Sequence, residues 1–275
     1  MKLLLTGAGG QLGRALSSAL EGHHVSAFGH ANLDVADVIA VRDAVASCGP
    51  DMVINAAAFN DVDGAETDGD AAFRVNAAGP ANLAAAAAEA GAAILHVSTD
   101  YVFDGTATRP YDEDSATNPQ SVYGRSKWAG EEAVRAANGR HFVVRTAWLF
   151  HPEGKNFLNT MLGLANPGGV RVVDDQTGSP TFAAHLAEAI ARLITTDAYG
   201  TYHLAGRGGV TWFELTRTLY RLAGITTPVE PVTTAAFPRP APRPRYSVLT
   251  TIREPRIQLP PWEEGVAAFV RQRLG

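Results

Sequence analysis

The 275-residue sequence is poor in cysteine and lacks long hydrophobic runs. Its one cysteine, Cys48, cannot form an internal disulfide, and no site motif around it suggests a nucleophile. Only Leu3, Leu4 and Leu5 precede the first glycine, far fewer than the roughly 7–15 apolar residues of a secretory signal. No stretch approaches the ~20 apolar residues of a membrane span. These absences predict a soluble, cytoplasmic protein that binds no membrane.

Positive charge is also scarce, because 23 Lys and Arg residues face 28 Asp and Glu residues, for a formal net charge of -5. A net negative chain argues against a nucleic-acid partner or an anionic membrane surface. Hydrophobic residues make up 46% of the sequence, which is enough for a globular core. The composition therefore predicts one large globular domain, or one with a smaller lobe.

Short apolar segments alternate with helical patterns through the first two-thirds of the chain. Strands are predicted at Lys2–Thr6, His24–Phe28, Met52–Asn55, Ile94–Ser98 and Phe142–Thr146. Helices are predicted at Leu12–Glu21, Asp37–Ser47, Asp70–Ala90 and Val122–Ala137. This alternation predicts an α/β fold, a doubly wound parallel (Rossmann) sheet with helices on both faces. Such sheets bind ligands beyond the carboxyl ends of their strands.

Three glycines, Gly7, Gly10 and Gly13, span the turn from the first predicted strand into the start of the first predicted helix. Glycines in this context allow a tight turn and a close approach of backbone to a pyrophosphate at the helix N-terminus. No Gly-Lys-Ser/Thr follows, which disfavours a mononucleotide phosphate loop. The turn therefore predicts NADPH or NADH as cofactor, with a purely structural turn as the alternative.

The residues after the second predicted strand bear on the choice of cofactor. Many dinucleotide folds place an acid there for the ribose 2′-hydroxyl. Here Gly29 and His30 hold that place, and the nearest acid is Asp34. Arg14 could meet a 2′-phosphate but would equally suit a solvated surface. The pattern favours NADPH and leaves NADH open.

Tyr123 and Lys127 lie four residues apart on a predicted helix, so their side chains share a face. A nearby cation favours the phenolate, so Lys127 is expected to lower the pKa of Tyr123 and ready it for proton exchange. Thr99 ends the fourth predicted strand, at the rim where the glycine turn also lies. The alternatives are a surface tyrosine beside a solvated lysine and a threonine that merely ends a strand.

These motifs resemble the extended short-chain dehydrogenase/reductases and, more closely, the dTDP-4-dehydrorhamnose reductases. The resemblance covers nearly the whole chain. Its most distinctive segments are Ser98-Thr-Asp-Tyr-Val-Phe-Asp-Gly105 and Asp175-Gln-Thr-Gly-Ser-Pro-Thr181. The resemblance implies NAD(P)H-dependent reduction of the C4 ketone of dTDP-4-dehydro-L-rhamnose, the last step of dTDP-L-rhamnose synthesis.

The resemblance also implies site residues. Tyr123 would donate the proton, Lys127 would hold the nicotinamide ribose, and Thr99 would hydrogen-bond the carbonyl oxygen. The implied cofactor-binding residues are Gly7, Gly10, Gln11, Leu12, Gly13, His30, Asp34, Val35, Ala57, Ala58, Phe59, Val97, Tyr123 and Lys127. The implied substrate-binding residues are Thr99, Asp100, Tyr101, Trp148, Arg243 and Ser247.

A nucleotide-diphosphate-sugar is anionic, so a net negative protein must concentrate positive charge locally. Between Phe237 and Arg256 there are five arginines against one acid, Glu254. The forked donors of arginine suit phosphate oxygens. Arg243 and Ser247 are therefore expected to face the diphosphate, with a mobile, solvated Pro-Arg loop as the alternative. For Trp148 the alternative is a tryptophan that packs the junction between lobes.

The chain beyond residue 150 shows a looser pattern. Helices are predicted at Asn156–Leu164, Phe182–Thr195, Trp212–Ala223 and Trp262–Arg273, and short strands at Arg171–Val173 and Thr201–Leu204. The predicted division is a dinucleotide-binding domain at 1–150 to which 171–200 returns, a substrate-binding lobe at 151–170 and 205–262, and a C-terminal helix at 263–275.

One departure from the family bears on assembly. Some members dimerise through a magnesium site that uses a glutamate just after the glycine turn, and here Ala15 holds that position. No metal is therefore expected, and the chain is predicted to be a monomer or weak homodimer without a magnesium bridge.

Other activities of the same fold stay open. They are another nucleotide-sugar 4-ketoreductase, a nucleotide-sugar epimerase, and a non-catalytic regulatory subunit like that of methionine adenosyltransferase. A nucleotide-sugar dehydratase is disfavoured because Tyr101 holds the position of its glutamate.

Overall fold

The chain forms twelve β-strands and ten α-helices in a computed structural model that describes residues 1–275. The strands are β1 (Lys2–Thr6), β2 (His24–Phe28), β3 (Met52–Asn55), β4 (Ala93–Thr99), β5 (His141–Thr146), β6 (Leu149–Phe150), β7 (Val170–Val173), β8 (Thr177–Gly178), β9 (Thr181–Phe182), β10 (Gly200–His203), β11 (Val210–Thr211) and β12 (Val229–Val232). The helices are α1 (Gln11–Ala19), α2 (Val38–Cys48), α3 (Gly64–Thr67), α4 (Gly69–Phe73), α5 (Gly79–Glu89), α6 (Val122–Ala137), α7 (Phe157–Leu164), α8 (Ala183–Leu193), α9 (Trp212–Leu222) and α10 (Trp262–Leu274). No helix combines the length and the apolar character that a membrane crossing requires.

Six strands form one parallel sheet in the order β10-β5-β4-β3-β1-β2. The predicted doubly wound parallel sheet is thereby confirmed. The chain runs outward from β1 to β2 and then returns to β3 on the other side of β1. Ligands bind at such a switch of winding, beyond the carboxyl ends of the strands. The glycine turn directly follows β1 and so lies at this point.

Helices cover both faces of the sheet because neighbouring strand residues point to opposite sides. Leu3 and Leu5 on β1 pack in the apolar cluster that includes Leu16 of α1 and Ile190 of α8. Leu4, between them, packs on the other face with residues of α2 and α5. Both faces of the central strands are therefore buried, as a parallel sheet requires.

A third apolar cluster forms the core of the C-terminal lobe. It includes Phe150, Leu158, Leu215, Trp262 and Phe269, which come from β6, α7, α9 and α10. Three small sheets accompany this cluster, formed by the pairs β6-β9, β7-β12 and β8-β11. The lobe is thus assembled from separate stretches of the chain.

The predicted interval 171–200 contributes elements to two parts of the molecule. Within 171–200, β7 pairs with β12 in a two-stranded sheet, whereas α8 packs against α1 beside the main sheet. Of the β7 residues only Val172 is buried, while a strand inserted in the main sheet would be buried on both faces. The interval therefore does not return as a whole to the dinucleotide-binding domain. The assignment of 1–150 and of the lobe to separate roles stays a prediction.

The helix predicted at Asp70–Ala90 is not regular. It consists of α4, a π-helical turn at Arg74–Ala78, and α5. The wider turn places the fully buried Asn76 in contact with both Phe59 and Ser126. Its amide bonds the backbone nitrogen and oxygen of Phe59 at 2.8 and 3.0 Å and the Ser126 hydroxyl at 3.0 Å. Single π turns of this kind are frequent at functional sites.

Candidate active site

A cavity of about 410 Å³ opens at the carboxyl ends of the central strands. Its size is that of a small-molecule site. Eleven of the residues predicted for the site line this cavity: Gly10, Gln11, Leu12, Ala58, Val97, Thr99, Asp100, Tyr101, Tyr123, Lys127 and Trp148. The structure therefore gathers the glycine turn, the end of β4 and the start of α6 around one space.

The glycine turn forms a cradle that side chains would fill. Gly7 has a positive φ of 73°, and a Cβ there would lie 2.5 Å from the Ala56 carbonyl carbon. A Cβ on Gly13 would overlap the Gly7 carbonyl oxygen. No side chain caps α1, so its first amide groups are free to bind an anion. These features fit the pyrophosphate of a dinucleotide.

The segment between β6 and α7 contacts the glycine turn. The Gln11 side chain donates to the Lys155 carbonyl oxygen at 3.3 Å and accepts from the Asn156 amide at 3.0 Å. Arg14 forms an ion pair with Glu153, and both side chains are at least half exposed. The Arg14 charge is thus offset by a carboxylate, which favours the solvated-surface interpretation over a 2′-phosphate ligand.

The residues predicted after β2 lie outside the cavity walls. His30 is exposed, and Val35 is buried in the core beneath α5. Asp34 accepts from Arg74 at 2.7 Å, and this guanidinium lowers the pKa of the Asp34 carboxyl. A cofactor role for His30, Asp34 and Val35 stays a prediction.

The loop after β3 is fixed by buried amides. Asn55 accepts from the Ala57 backbone nitrogen at 3.1 Å, and Asn76 holds both backbone polar groups of Phe59. Of Ala57, Ala58 and Phe59, only Ala58 reaches the cavity wall. The loop is therefore a rigid side of the cavity.

Tyr123 and Lys127 occupy the first two turns of α6, whose N-terminus is capped by Ser121 at 3.0 Å from the Gly124 nitrogen. Tyr123 is 8% exposed and Lys127 is 2% exposed. The Lys127 ammonium donates to the Val97 carbonyl oxygen at 2.6 Å. The nearby Thr99 hydroxyl acts to lower the pKa of Tyr123. The predicted trio therefore meets on one wall of the cavity.

The expected lowering of the Tyr123 pKa by Lys127 is not found. Burial raises the pKa of Tyr123 to about 12, against the opposing hydrogen bond of Thr99. Burial also lowers the pKa of Lys127 to about 8, and the nearby Glu131 carboxylate opposes this shift. Desolvation disfavours both charged forms. The Lys127 ammonium is hydrogen-bonded to the Val97 carbonyl oxygen, so it does not offset the free-energy cost of a phenolate at Tyr123.

A buried ion pair that sequence reasoning missed supports this wall from behind. Glu131 is fully buried and accepts from the Ser98 hydroxyl at 2.6 Å and from Arg145 at 2.7 Å. Its contacts join α6 to the ends of β4 and β5, next to Thr99. The available signal was an acid four residues after Lys127, on the same face of the helix.

Asp100 lies between Thr99 and the segment that carries Ser247. Its Oδ1 accepts from the Thr99 hydroxyl at 3.0 Å. Asp100 Oδ2 and the Ser247 hydroxyl are both buried and lack a well-formed hydrogen bond. Burial raises the pKa of Asp100 to about 6, and the nearby Ser247 and Thr99 hydroxyls oppose that rise.

Arg243 is ordered rather than part of a mobile loop. Its guanidinium pairs with Asp63 at 2.9 Å and donates to the Ala241 carbonyl oxygen at 3.1 Å, with 18% of the side chain exposed. Arg243 and Tyr101 both line a smaller cavity of about 50 Å³, and Tyr101 also lines the main one. The arginine thus borders the site from its far side, already paired with a carboxylate.

Trp148, Trp212 and Phe157 form an aromatic wall of the cavity. Trp148 stacks on Trp212 with ring centroids 3.3 Å apart, and Phe157 lies beside Trp212 at 4.3 Å. Trp148 has a positive φ of 45°, and a Cβ on Gly178 would overlap its indole ring. Sequence reasoning missed Trp212 and Phe157, because no local motif marks them and both lie far along the chain.

The side of the cavity near β5 also carries a hydroxyl group that makes no hydrogen bond. Thr146 lines the cavity, and its hydroxyl is buried without a hydrogen-bond partner. Thr146 pairs with Thr99 across β4 and β5, so the two hydroxyl-bearing residues are neighbours at the strand ends. A buried hydroxyl without a partner on a cavity-lining residue suits a polar ligand. With the glycine cradle, it shows that the residues present fit a dinucleotide.

Comparison with known proteins gives one consistent result. Residues 1–274 match the family model described as the RmlD substrate binding domain. A dTDP-4-dehydrorhamnose reductase of Mycobacterium tuberculosis (strain ATCC 25618 / H37Rv) is 46% identical over 260 residues, which cover 91% of this chain and 85% of that protein.

Solved structures agree with the sequence comparison. The crystal structure of a dTDP-4-dehydrorhamnose reductase from Clostridium acetobutylicum ATCC 824 superposes with a TM-score of 0.97 at 41% identity, covering 99% of both chains. The dTDP-4-dehydrorhamnose reductase from Bacillus anthracis str. Ames, in complex with NADP, gives a TM-score of 0.95 at 38% identity, covering 99% of this chain and 100% of that one.

Proposed function

The chain belongs to the RmlD substrate binding domain family, and from that premise we propose that it reduces the C4 ketone of dTDP-4-dehydro-L-rhamnose with NAD(P)H. The reaction is the last step of dTDP-L-rhamnose synthesis. Relatives at 46% and 41% identity bear the name of this reductase, and one at 38% identity binds NADP. The chain is thus an NAD(P)H-dependent oxidoreductase.

One observation carries the proposal from fold to activity. The buried Tyr123 side chain lines the same cavity as Thr99, Lys127 and Gly10 of the glycine cradle. A regulatory subunit needs no such group, whereas an epimerase also needs one, so the names of the relatives are what favour a reductase over an epimerase. A reductase requires a protonated donor beside the bound dinucleotide.

The dinucleotide, when bound, supplies a hydride to the carbonyl carbon. The glycine turn and the free amides of α1 bind its pyrophosphate, and Lys127 holds its ribose. Tyr123 donates a proton to the carbonyl oxygen as charge develops there. The high pKa of Tyr123 keeps this phenol protonated before the reaction. Thr99 orients the phenol and the carbonyl oxygen.

The sugar and its diphosphate are proposed to lie between the aromatic wall and the 239–249 segment. Trp148 presents an apolar ring face suited to a sugar, and Asp100 and Tyr101 line the same cavity. Arg243 and Ser247 are proposed to face the diphosphate from the far side. Phosphate oxygens would compete with Asp63 for the Arg243 guanidinium.

The remaining assignments follow the sequence. We infer a preference for NADPH, because Gly29 and His30 follow β2 where an acid would select NADH. We infer a cytoplasmic monomer or weak homodimer, because Cys48 is the only cysteine and Ala15 replaces the glutamate of the magnesium-bridged relatives. The support for these assignments is the sequence alone.

The central test is the reduction itself. Purified protein is mixed with dTDP-4-dehydro-L-rhamnose and either NADPH or NADH, and absorbance of the reduced nicotinamide is followed. Tyr123→Phe is expected to lower kcat by a factor of about 10²–10⁴, the range for a lost proton donor, with NADPH affinity kept. Tyr199→Phe, whose phenol bonds Arg140 at the surface, is the matched control and should keep full activity.

Two outcomes would overturn the proposal. One is near-normal turnover by Tyr123→Phe. The other is no oxidation of either reduced dinucleotide by the wild type, together with interconversion of nucleotide sugars on bound NAD, which would indicate an epimerase. Faster turnover of another dTDP-4-keto sugar would retain the chemistry and change the substrate.

A further inference from the structure

Resting on the proposed function, we propose that Gln176 is a positioning residue for the sugar and that it acts through Trp212 on Trp148. Trp212 lines the cavity beside Trp148, whereas Gln176 is buried and does not line it. Gln176 belongs to the distinctive segment Asp175-Gln-Thr-Gly-Ser-Pro-Thr181. The proposed role explains why a segment outside the cavity lining affects substrate binding.

Trp148 depends on its surroundings for its orientation. Its φ of 45° is positive, a conformation that is unfavourable for a bulky side chain and persists only where neighbouring structure imposes it. The side chain is half-buried and lines the cavity. The contacts around Trp148 therefore decide which part of its indole faces a ligand.

Two residues of the 175–181 segment contact Trp148 directly. A Cβ on Gly178 would overlap the indole, so the ring lies against the backbone of this glycine. The Thr181 backbone nitrogen donates to the Trp148 carbonyl oxygen at 3.1 Å. The other large contact of the indole is Trp212, whose ring is parallel to it within 3°, with centroids 3.3 Å apart. The position of Trp212 is thus one of the constraints that orient Trp148.

Gln176 fixes the Trp212 ring by a hydrogen bond. Its Oε1 accepts from the Trp212 indole nitrogen at 3.2 Å, and its Nε2 donates to the Thr234 hydroxyl at 2.9 Å. The Thr234 hydroxyl donates in turn to Asp175 Oδ1 at 2.6 Å. Because the only hydrogen of that hydroxyl goes to Asp175, Thr234 can only accept from Gln176. The Gln176 amide is therefore held with its oxygen toward Trp212.

No other hydrogen bond holds the Trp212 ring at this rotation. Phe157 lies beside it with ring centroids 4.3 Å apart, but an apolar contact is non-directional and permits sliding. Loss of the Gln176 bond would therefore let the Trp212 ring turn about its side-chain bonds. Since Trp148 is stacked on that ring, its orientation toward the sugar would change as well.

The nucleotide end of the substrate is held by different contacts. The Thr177 backbone nitrogen donates to the Arg245 carbonyl oxygen at 2.8 Å, and the Ser247 nitrogen donates to the Thr177 carbonyl oxygen at 2.8 Å. These are main-chain bonds, which a change of the side chain at position 176 leaves in place. Loss of the Gln176 amide should therefore weaken binding of the sugar and spare binding of the nucleotide.

The kinetic test uses Gln176→Leu, which keeps the approximate size of the side chain and removes its amide. The KM for dTDP-4-dehydro-L-rhamnose should rise about tenfold, the effect of one lost hydrogen bond. The kcat, the NADPH affinity and the Kd of dTDP should remain those of the wild type. Gln258→Leu is the matched control, because Gln258 is exposed and lies outside the cavity lining.

A spectroscopic test reports the tryptophan pair itself. Two stacked indoles couple their electronic transitions and give paired bands of opposite sign in circular dichroism. Trp148→Phe should abolish these bands, which assigns them among the four tryptophans of the chain. Gln176→Leu should weaken them, and Gln258→Leu should leave them intact. In the wild type, dTDP-L-rhamnose should alter the bands, whereas dTDP, which lacks the sugar, should not.

Substitutions at Thr234 test the same contact from its other end. Thr234→Val removes the acceptor of the Gln176 amide, and Thr234→Ser keeps the hydroxyl. The KM for the keto sugar should rise in the first and stay at the wild-type value in the second. Thr234→Val should add little to Gln176→Leu, because both interrupt one chain of hydrogen bonds. The Thr234 pair alone decides the matter if Gln176→Leu does not fold.

The proposal is wrong if Gln176→Leu keeps the wild-type KM and the wild-type bands. It is also wrong if this substitution weakens dTDP binding as much as it raises the KM, since the damage would then be general to the lobe. Failure of the proposed function is distinct. The wild type would then oxidise neither NADPH nor NADH with the keto sugar, while the bands would still depend on Gln176.

Discussion

At the scale of single residues, desolvation sets the chemistry of the site. Tyr123, Lys127 and Asp100 are all buried, and burial shifts the pKa of each toward its neutral form. A neutral phenol and a neutral carboxyl are proton donors, whereas their ionised forms are not. The site is therefore prepared to give protons before the ligands arrive.

Glu131 provides a prediction about stability. Glu131→Gln removes the partner of Arg145, which is 4% exposed, and so leaves a buried guanidinium uncompensated. The free energy of unfolding should fall by about 3–5 kcal/mol in urea denaturation. Glu132→Gln is the matched control, because its carboxylate is 54% exposed and pairs with Arg135 at the surface. Its effect should stay within about 0.5 kcal/mol, and equal losses for the two would refute the role of burial.

His30 provides a prediction about the cofactor. A carboxylate at position 30 would repel a 2′-phosphate and could accept from a 2′-hydroxyl. His30→Asp should raise the KM for NADPH about tenfold and lower or preserve that for NADH, a change of ~1.4 kcal/mol in selectivity. His24→Asp, at the opposite end of β2, should change neither value. Equal effects of the two substitutions would place the adenosine ribose elsewhere.

At the scale of elements, the position of α6 depends on its close packing against the π-helical turn. A Cβ on Gly130 would overlap the Asn76 carbonyl oxygen, so the two elements can approach only because residue 130 is glycine. The same turn directs Asn76 toward Phe59 and Ser126. The packing thus fixes the helix that carries Tyr123 and Lys127 relative to the loop after β3.

The substitution Gly130→Ala tests this close packing. The added methyl group should push α6 outward, lower the free energy of unfolding by about 1–3 kcal/mol and reduce turnover. Gly139→Ala is the control, since a Cβ there has no neighbour within 4 Å. Thermal unfolding and steady-state rates measure both effects. Unchanged stability and activity in Gly130→Ala would show that the contact is readily relieved.

The regular strands and helices could be predicted from the sequence, whereas the π-helical turn and the pairing of β7 with β12 could not. The patterns predict β1, β2, β3 and α6 with their observed bounds, because alternating burial and helical spacing are local signals. The π turn has no such signal, since an alanine-rich stretch predicts a continuous helix. Its cause is the tertiary contact of Asn76. The pairing of β7 with β12 is likewise non-local.

The same distinction applies to the site. Gly10, Thr99, Tyr123 and Lys127 belong to motifs with fixed spacing, and the structure brings them to one cavity. Trp212 also lines the cavity, stacked on Trp148, but it lies far along the chain from these motifs. The raised pKa of Tyr123 could not be foreseen either, because it depends on the depth of burial and on the neighbouring Asp100 carboxylate.

At the scale of the whole molecule, buried titratable groups make stability depend on pH. Burial lowers the pKa of His96 and of His203 in the folded protein. In mildly acidic solution these histidines are therefore protonated in the unfolded chain while they stay neutral in the folded state. Acid therefore favours unfolding through these groups as the pH falls below about 6.5. Glu131, with a lowered pKa, adds a further loss below about 4.3. Asp100 acts oppositely, because its raised pKa makes the folded state bind a proton near pH 6.

The melting temperature should therefore fall between pH 7.5 and pH 5.5, and fall more steeply below pH 4.5. Asp100→Asn removes the one opposing group, so its melting temperature should fall more steeply than that of the wild type between pH 7.5 and 5.5. Scanning calorimetry at constant ionic strength measures both curves. A wild-type melting temperature that rises toward acid would contradict the assignment of His96 and His203 as neutral, buried groups.

The indole of Trp148 lies in the space that any side chain at position 178 would need. A residue other than glycine at position 178 would therefore be tolerated only with a smaller side chain at position 148. The residues at positions 148 and 178 should therefore vary together among related sequences.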